Sequence, residues 1–144
     1  MRSSLEFSYF VCRLGLSIAY LYSGIAKCLD FSAAIAEQAH FGLQPAALFA
    51  AATILVQLGG SLLLLFGAGR WRAVSAAALA GFTLLATLIG HRFWAETGVD
   101  RFRDLNSFLE HFGLIGGLFL VALPVWFQPA ALAHFKGALA QKSE

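Results

Sequence analysis

The stretch RLGLSIAYLYSGIAK, Arg13 to Lys27, sets a guanidinium and an ammonium within an otherwise apolar run, with Ser17, Tyr20 and Gly24 between them. On a helix, at about 100° per residue, Glu6, Tyr9, Arg13, Ser17, Tyr20, Gly24 and Lys27 fall within an arc of about 80°. The remaining faces are mostly Leu, Ile, Val, Phe and Ala. An arginine in mid-membrane costs about 2.5 to 3.5 kcal/mol on insertion scales, so this stripe is expected to face a bundle interior or water. Such a row can hydrogen-bond the polar end of an amphipathic ligand, or it can simply fix the packing of helices.

Other segments offer partners. Gln57 lies roughly 16 Å along its own apolar span, close to the depth expected for Arg13. Thr83, Thr87, His91 and Trp94 share a face further on, and Asn106, Glu110 and His111 open the last span. Successive spans are antiparallel neighbours, which brings His91 and His111 to the end where Lys27 emerges. Two imidazoles there could exchange protons near neutral pH. The candidate ligand-binding set is therefore Arg13, Ser17, Tyr20, Lys27, Gln57, His91, Trp94 and His111. Each has a plainer reading. A lysine at a helix end snorkels to the headgroups, and a His with a nearby Trp can serve only as an interfacial anchor.

Several chemistries are disfavoured. No HxxH or HExxH spacing supports a metal site, and none is expected. Cys12 and Cys28, on one span, would lie about 24 Å apart, too far for a disulfide. Without a CxxC, thiol exchange of the kind run by disulfide-forming quinone reductases is not expected, so any redox role needs a bound cofactor or a partner. LGGS at Leu58 to Ser61 and IGG at Ile115 to Gly117 lack the strand-and-helix setting of a phosphate loop and read as helix contacts.

The elements that must hold these residues follow from composition. The 144 residues are 59% hydrophobic and 12% charged, with a mean hydropathy of +0.73, whereas soluble domains carry about 25% charge. The chain reads as an integral membrane protein, all-α, with four transmembrane helices in one bundle. A crossing needs about 20 mostly apolar residues, and four such spans run approximately Leu5 to Ala26, Ala46 to Phe66, Ala73 to Phe93 and Ser107 to Phe127. Asp30 and Gln44-Pro45, then GAGRWR, then ETGVDRFRD separate them. Phe31 to Gly42 is expected on the surface or re-entering, and residues 128–144 form a short C-terminal interfacial or disordered tail after a membrane domain at 1–127. Arg13 interrupts the core of a would-be signal peptide, so the first span is expected to be retained. Counting Lys and Arg in the loops places both termini in the cytoplasm. The net charge of +2 has no basic cluster, so nucleic acid is not an expected partner.

The stretches RLGLSIAYLYSGIAK, QLGGSLLLLFGAGRW, HRFW and FLEHFGLIGGL, in this order across nearly the whole chain, resemble the DoxX family. The resemblance implies a small four-helix protein of the bacterial cytoplasmic (inner) membrane. It also implies association with quinone-linked sulfur oxidation, with oxidative-stress complexes or with assembly of other membrane proteins. The chain departs from the family pattern at Gln57, where members commonly have Glu, and at His111, where they commonly have Asn. Gln57 cannot ionise but can still hydrogen-bond a ligand.

Two functions are carried forward. One is an accessory subunit of a membrane redox system, possessed of a quinone-like or other amphipathic ligand in its polar seam and working with a partner redox protein. The other is a non-enzymatic scaffold or assembly factor that recruits a partner, or a second copy as a homo-oligomer, through the loop Ala95 to Asn106.

Overall fold

The computed structural model describes residues 2–140, with side chains described for Ser4 and for residues 6–123. Helix α1 (Arg2–Leu29) leads into a short α2 (Phe31–His40). Next come α3 (Ala46–Ile54), a π-helical turn (Leu55–Gly59) and α4 (Gly60–Phe66), which stack as one rod; α5 (Arg70–Gly90) and α6 (Gly98–Ala140) complete the chain. Among the described residues, four helical stretches are long and apolar enough to cross a membrane: Glu6–Leu29, Ala46–Phe66, Arg70–Gly90 and Gly98–Leu123. The all-helical, four-span reading of the sequence therefore holds.

Local chemistry sets the joints. Asp30 caps α2, its carboxylate accepting from Ala33 N at 2.9 Å, one of the donors a helix start leaves unpaired. Gly42 (φ 74) and Gly69 (φ 50) take the left-handed conformation that lets α2 turn back into α3 and α4 turn into α5. The piece after the first span is thus a helix packed on α3 and α1.

The run Glu96 to Asp104 departs from expectation. It reads as a loop, yet α6 begins at Gly98 and carries Asp100 in its first turn, where a carboxylate favours the positive end of the helix dipole. Composition alone hides this, because the charged turns of α6 extend beyond its apolar stretch. The same helix continues past residue 128 to Ala140, so the proposed tail begins within α6. Side chains from 124 onward, and residues 141–144 altogether, lie outside the described residues.

Helix α5 is central, packing on both α4 and α6. Its inner face presents Ala73, Ala76, Ala80, Thr83 and Thr87, all buried, and small residues at this spacing let backbones approach closely. Leu64, Leu79 and Leu118 fill the core between them. The outer faces expose Ile18, Ile25, Leu55, Leu62, Leu85, Leu88, Leu109 and Leu120. In a membrane these face lipid, which demands no polar covering.

Candidate functional site

The polar stripe of α1 faces inward from Arg13 onward, whereas Glu6 and Tyr9 at its start are exposed. Ser17, Tyr20 and Gly24 are buried, Arg13 and Lys27 partly so, and Cys12, Ile18, Tyr22 and Ile25 on the other faces are exposed. Gly24 is required here by close approach: a Cβ would meet Leu58 Cγ and Cδ2 at 2.7 Å, so α1 lies tight against the π-helical turn.

Beside that contact lies a cavity of about 550 Å³, within the range that holds a small organic ligand. Phe49, Val56, Phe82, Ile89 and Leu114 give it a mostly apolar wall, and two polar chains border it. In the first, Gln57 Nε2 and Lys27 Nζ both donate to Ser23 Oγ at 3.2 Å. Lys27 Nζ also pairs with Glu37 Oε2 at 2.7 Å, tying α1 to α2 at the cavity rim. Gln57 Oε1 is buried with no partner, and its residue is 6% exposed.

The second chain runs along α5. Thr83 donates to Leu79 O at 2.7 Å. Its one proton is thereby used, so Tyr20 OH is the donor in the hydrogen bond between Tyr20 and Thr83 Oγ1. Thr87 donates to Thr83 O at 2.6 Å and meets His111 Nδ1 at 2.8 Å. By the same count His111 carries its proton on Nδ1, which leaves Nε2 as the basic nitrogen. The ring of His91 packs against that of His111 with centroids 5.0 Å apart. His91 Nδ1 stands 3.6 Å from Asp104 Oδ1, within ion-pair range but too long for a hydrogen bond.

Of the residues singled out in the sequence, Tyr20, Lys27, Gln57, His91 and His111 meet around this cavity. His91 and His111 do gather at the Lys27 end. The other three stand apart from it. Ser17 is fully buried on the same stripe, its hydroxyl unpartnered. Trp94 is exposed and stacks edge-on with Phe93 and Phe108. Arg13 does not reach the level of Gln57: its Nη1 donates to Leu64 O at 3.4 Å, at the far end of the bundle.

Ser23 and Glu37 were not singled out. Ser23 lies one turn before Lys27, and Glu37 is the sole carboxylate of α2, so a search for partners of Lys27 could have found both. The π-helical turn carries no such signal, although π-turns inside α-helices often mark functional sites. Its only polar residue is Gln57. Among the described residues, no group of three or more His, Cys, Asp or Glu could hold a metal ion.

Four apolar crossings around a mostly apolar cavity define a small helical integral membrane protein. The chain belongs to the DoxX family, whose sequence profile matches residues 8–92, from the first turns of α1 to just past the end of α5. No curated protein and no solved structure matches the chain.

Proposed function

We propose that this DoxX-family protein is an accessory subunit of a membrane redox system in the bacterial cytoplasmic membrane, and that it holds a quinone-like molecule in the cavity beside Gln57. The observation that carries this reading is Gln57 Oε1, a buried acceptor without a donor, in the π-helical turn against a mostly apolar chamber. An unsatisfied buried polar atom costs about 1 to 3 kcal/mol, and a turn of the Gln57 side chain toward the chamber would let a ligand hydroxyl relieve it.

The groups at the border suit both forms of a quinol/quinone pair. A quinol hydroxyl can donate to Gln57 Oε1 or to the basic Nε2 of His111. A quinone carbonyl can accept from Lys27, two of whose three protons are already directed at Ser23 and Glu37. On oxidation the quinol gives up two protons and two electrons. His111 and His91 are placed to take protons, and the electrons pass to a partner redox protein. Phe82 and Leu114 supply the apolar surface for the ring.

The test is equilibrium binding of a short-chain quinol analogue to the purified protein in lipid nanodiscs. Binding that weakens in both Gln57→Leu and His111→Phe supports the reading. An affinity untouched by either variant removes it.

A second reading, a scaffold working through residues 95–106, is favoured by the exposure of Val99 and Phe102 on the first turns of α6. It expects a partner protein to co-purify with the wild type and to be lost when Asp100, Arg101 and Arg103 are neutralised. Full retention would exclude it.

A further inference from the structure

At the end of the bundle opposite the cavity, two arginines share one helix terminus. Arg72 Nη2 donates to Gly67 O at 2.7 Å, and Arg13 Nη1 donates to Leu64 O at 3.4 Å. Both carbonyls belong to the last turn and C-cap of α4, where a helix runs out of its own donors. The dipole there is worth about half a negative charge. Two guanidiniums on it leave more than one positive charge uncompensated by the dipole, and the carbonyls they hold are only three residues apart on one helix. Arg70, on the first turn of α5, adds a third positive charge, stacked over Trp71 at 5.3 Å.

Glu6, on the same face of α1 about two turns before Arg13, is the described acid at this end, and it forms no ion pair with these arginines. Among the described residues, every ion pair lies at the other end, on Lys27, His91 or Arg103. Arg72 Nε is buried and has no hydrogen-bond partner. The start of α5 has no side-chain cap at Gly69 and no acid in its first turn, so its free N–H groups add to the positive field. Trp71 is 54% exposed at that first turn, which is the headgroup level that tryptophan favours.

We propose that Arg13 and Arg72 form a binding site for a phosphate-bearing anion, and that in the membrane this is the headgroup phosphate of an anionic phospholipid. A guanidinium presents paired N–H donors that match two phosphate oxygens, and Arg72 Nε has no acceptor among the described residues. The depth agrees with a lipid source, because Leu64 and Arg72 each lie two residues inside the end of a membrane span, at Phe66 and Arg70. This site is separate from the cavity and independent of the reading given to it.

Native mass spectrometry of the purified full chain tests this, with phosphatidylglycerol or phosphatidylcholine added in equal amounts. The wild type should retain phosphatidylglycerol preferentially. Arg13→Gln and Arg72→Gln should each lower that retention roughly tenfold or more, the scale of a charge-assisted hydrogen bond. Arg103→Gln, at the opposite end, should leave it unchanged. Arg72→Lys, which keeps the charge but loses the fork, should fall between and serves as the check on folding. Equal retention of the two lipids, or retention unaffected by both glutamine variants, overturns the proposal. If inorganic phosphate at millimolar concentration displaces the lipid, the anion site stands and its assignment to lipid falls.

Discussion

Gln57 Nε2 donates to Ser23 Oγ at 3.2 Å, and the other half of the same amide, Oε1, is buried without a donor. The side chain is thus anchored to α1 by one atom and left open by the other. Replacing it with leucine removes an unsatisfied acceptor and one hydrogen bond together. Gln57→Leu should therefore leave the ligand-free protein as stable as the wild type, or up to about 1 kcal/mol more stable. A loss of several kcal/mol in denaturant unfolding would mean that the amide is a structural group and the cavity is incidental.

Tyr20 reaches across from α1 to Thr83 on α5. Hydrogen bonds between membrane helices are worth about 0.6 kcal/mol on average and rarely exceed about 1.7. Tyr20→Phe should destabilise by that amount, since Thr83 keeps its bond to Leu79 O. Thr83→Val should cost somewhat more, because it leaves the buried Tyr20 hydroxyl without its acceptor. Unfolding of the two variants in detergent gives both numbers.

Close helix contact makes some glycines irreplaceable and others not. At Gly24 a Cβ would lie 2.7 Å from Leu58 Cγ, whereas at Gly81 nothing lies within 4 Å. Gly24→Val should cost about 1 to 3 kcal/mol by overpacking. Gly81→Ala should be neutral or stabilise by up to about 1 kcal/mol through helix propensity. Thermal unfolding that ranks these two variants the other way would contradict the packing at the π-helical turn.

The Lys27–Glu37 pair tethers α2 over the cavity rim. With Glu37 half exposed, the pair should contribute under about 1 kcal/mol to global stability. Its effect should instead be local: Glu37→Gln should speed amide hydrogen exchange in α2 and leave α5 unchanged, and the double exchange Lys27→Glu with Glu37→Lys should restore protection. Unchanged exchange in α2 would show that its packing on α3 suffices without the ion pair.

The polar face of α1 was legible in the sequence because a helical period sorts Arg13, Ser17, Tyr20 and Lys27 onto one side whatever the surroundings. The meeting of His91 with His111 was legible too, since it needs only antiparallel neighbours. The depth of Arg13 was not. It was judged against Gln57 from the ends of apolar stretches, but α1 extends from Arg2 to Leu29, longer than a membrane requires, so its ends do not mark the bilayer. Arg13 faces Leu64 rather than Gln57, a shift of about 10 Å along the helix. The π-helical turn was hidden for a different reason. The close contacts beside it, Gly24 of α1 on Leu58 and Gly60 on Leu79 of α5, leave no periodic mark in the sequence.

The central claim is that the chamber beside Gln57 holds an amphipathic molecule of defined chemistry. The most direct measurement is mass spectrometry of small molecules extracted from gently purified wild-type protein, run beside Gln57→Leu. The account predicts a quinone or quinol in the wild-type extract, near one per chain, and its loss from the variant. Bulk lipid alone in both extracts would contradict it.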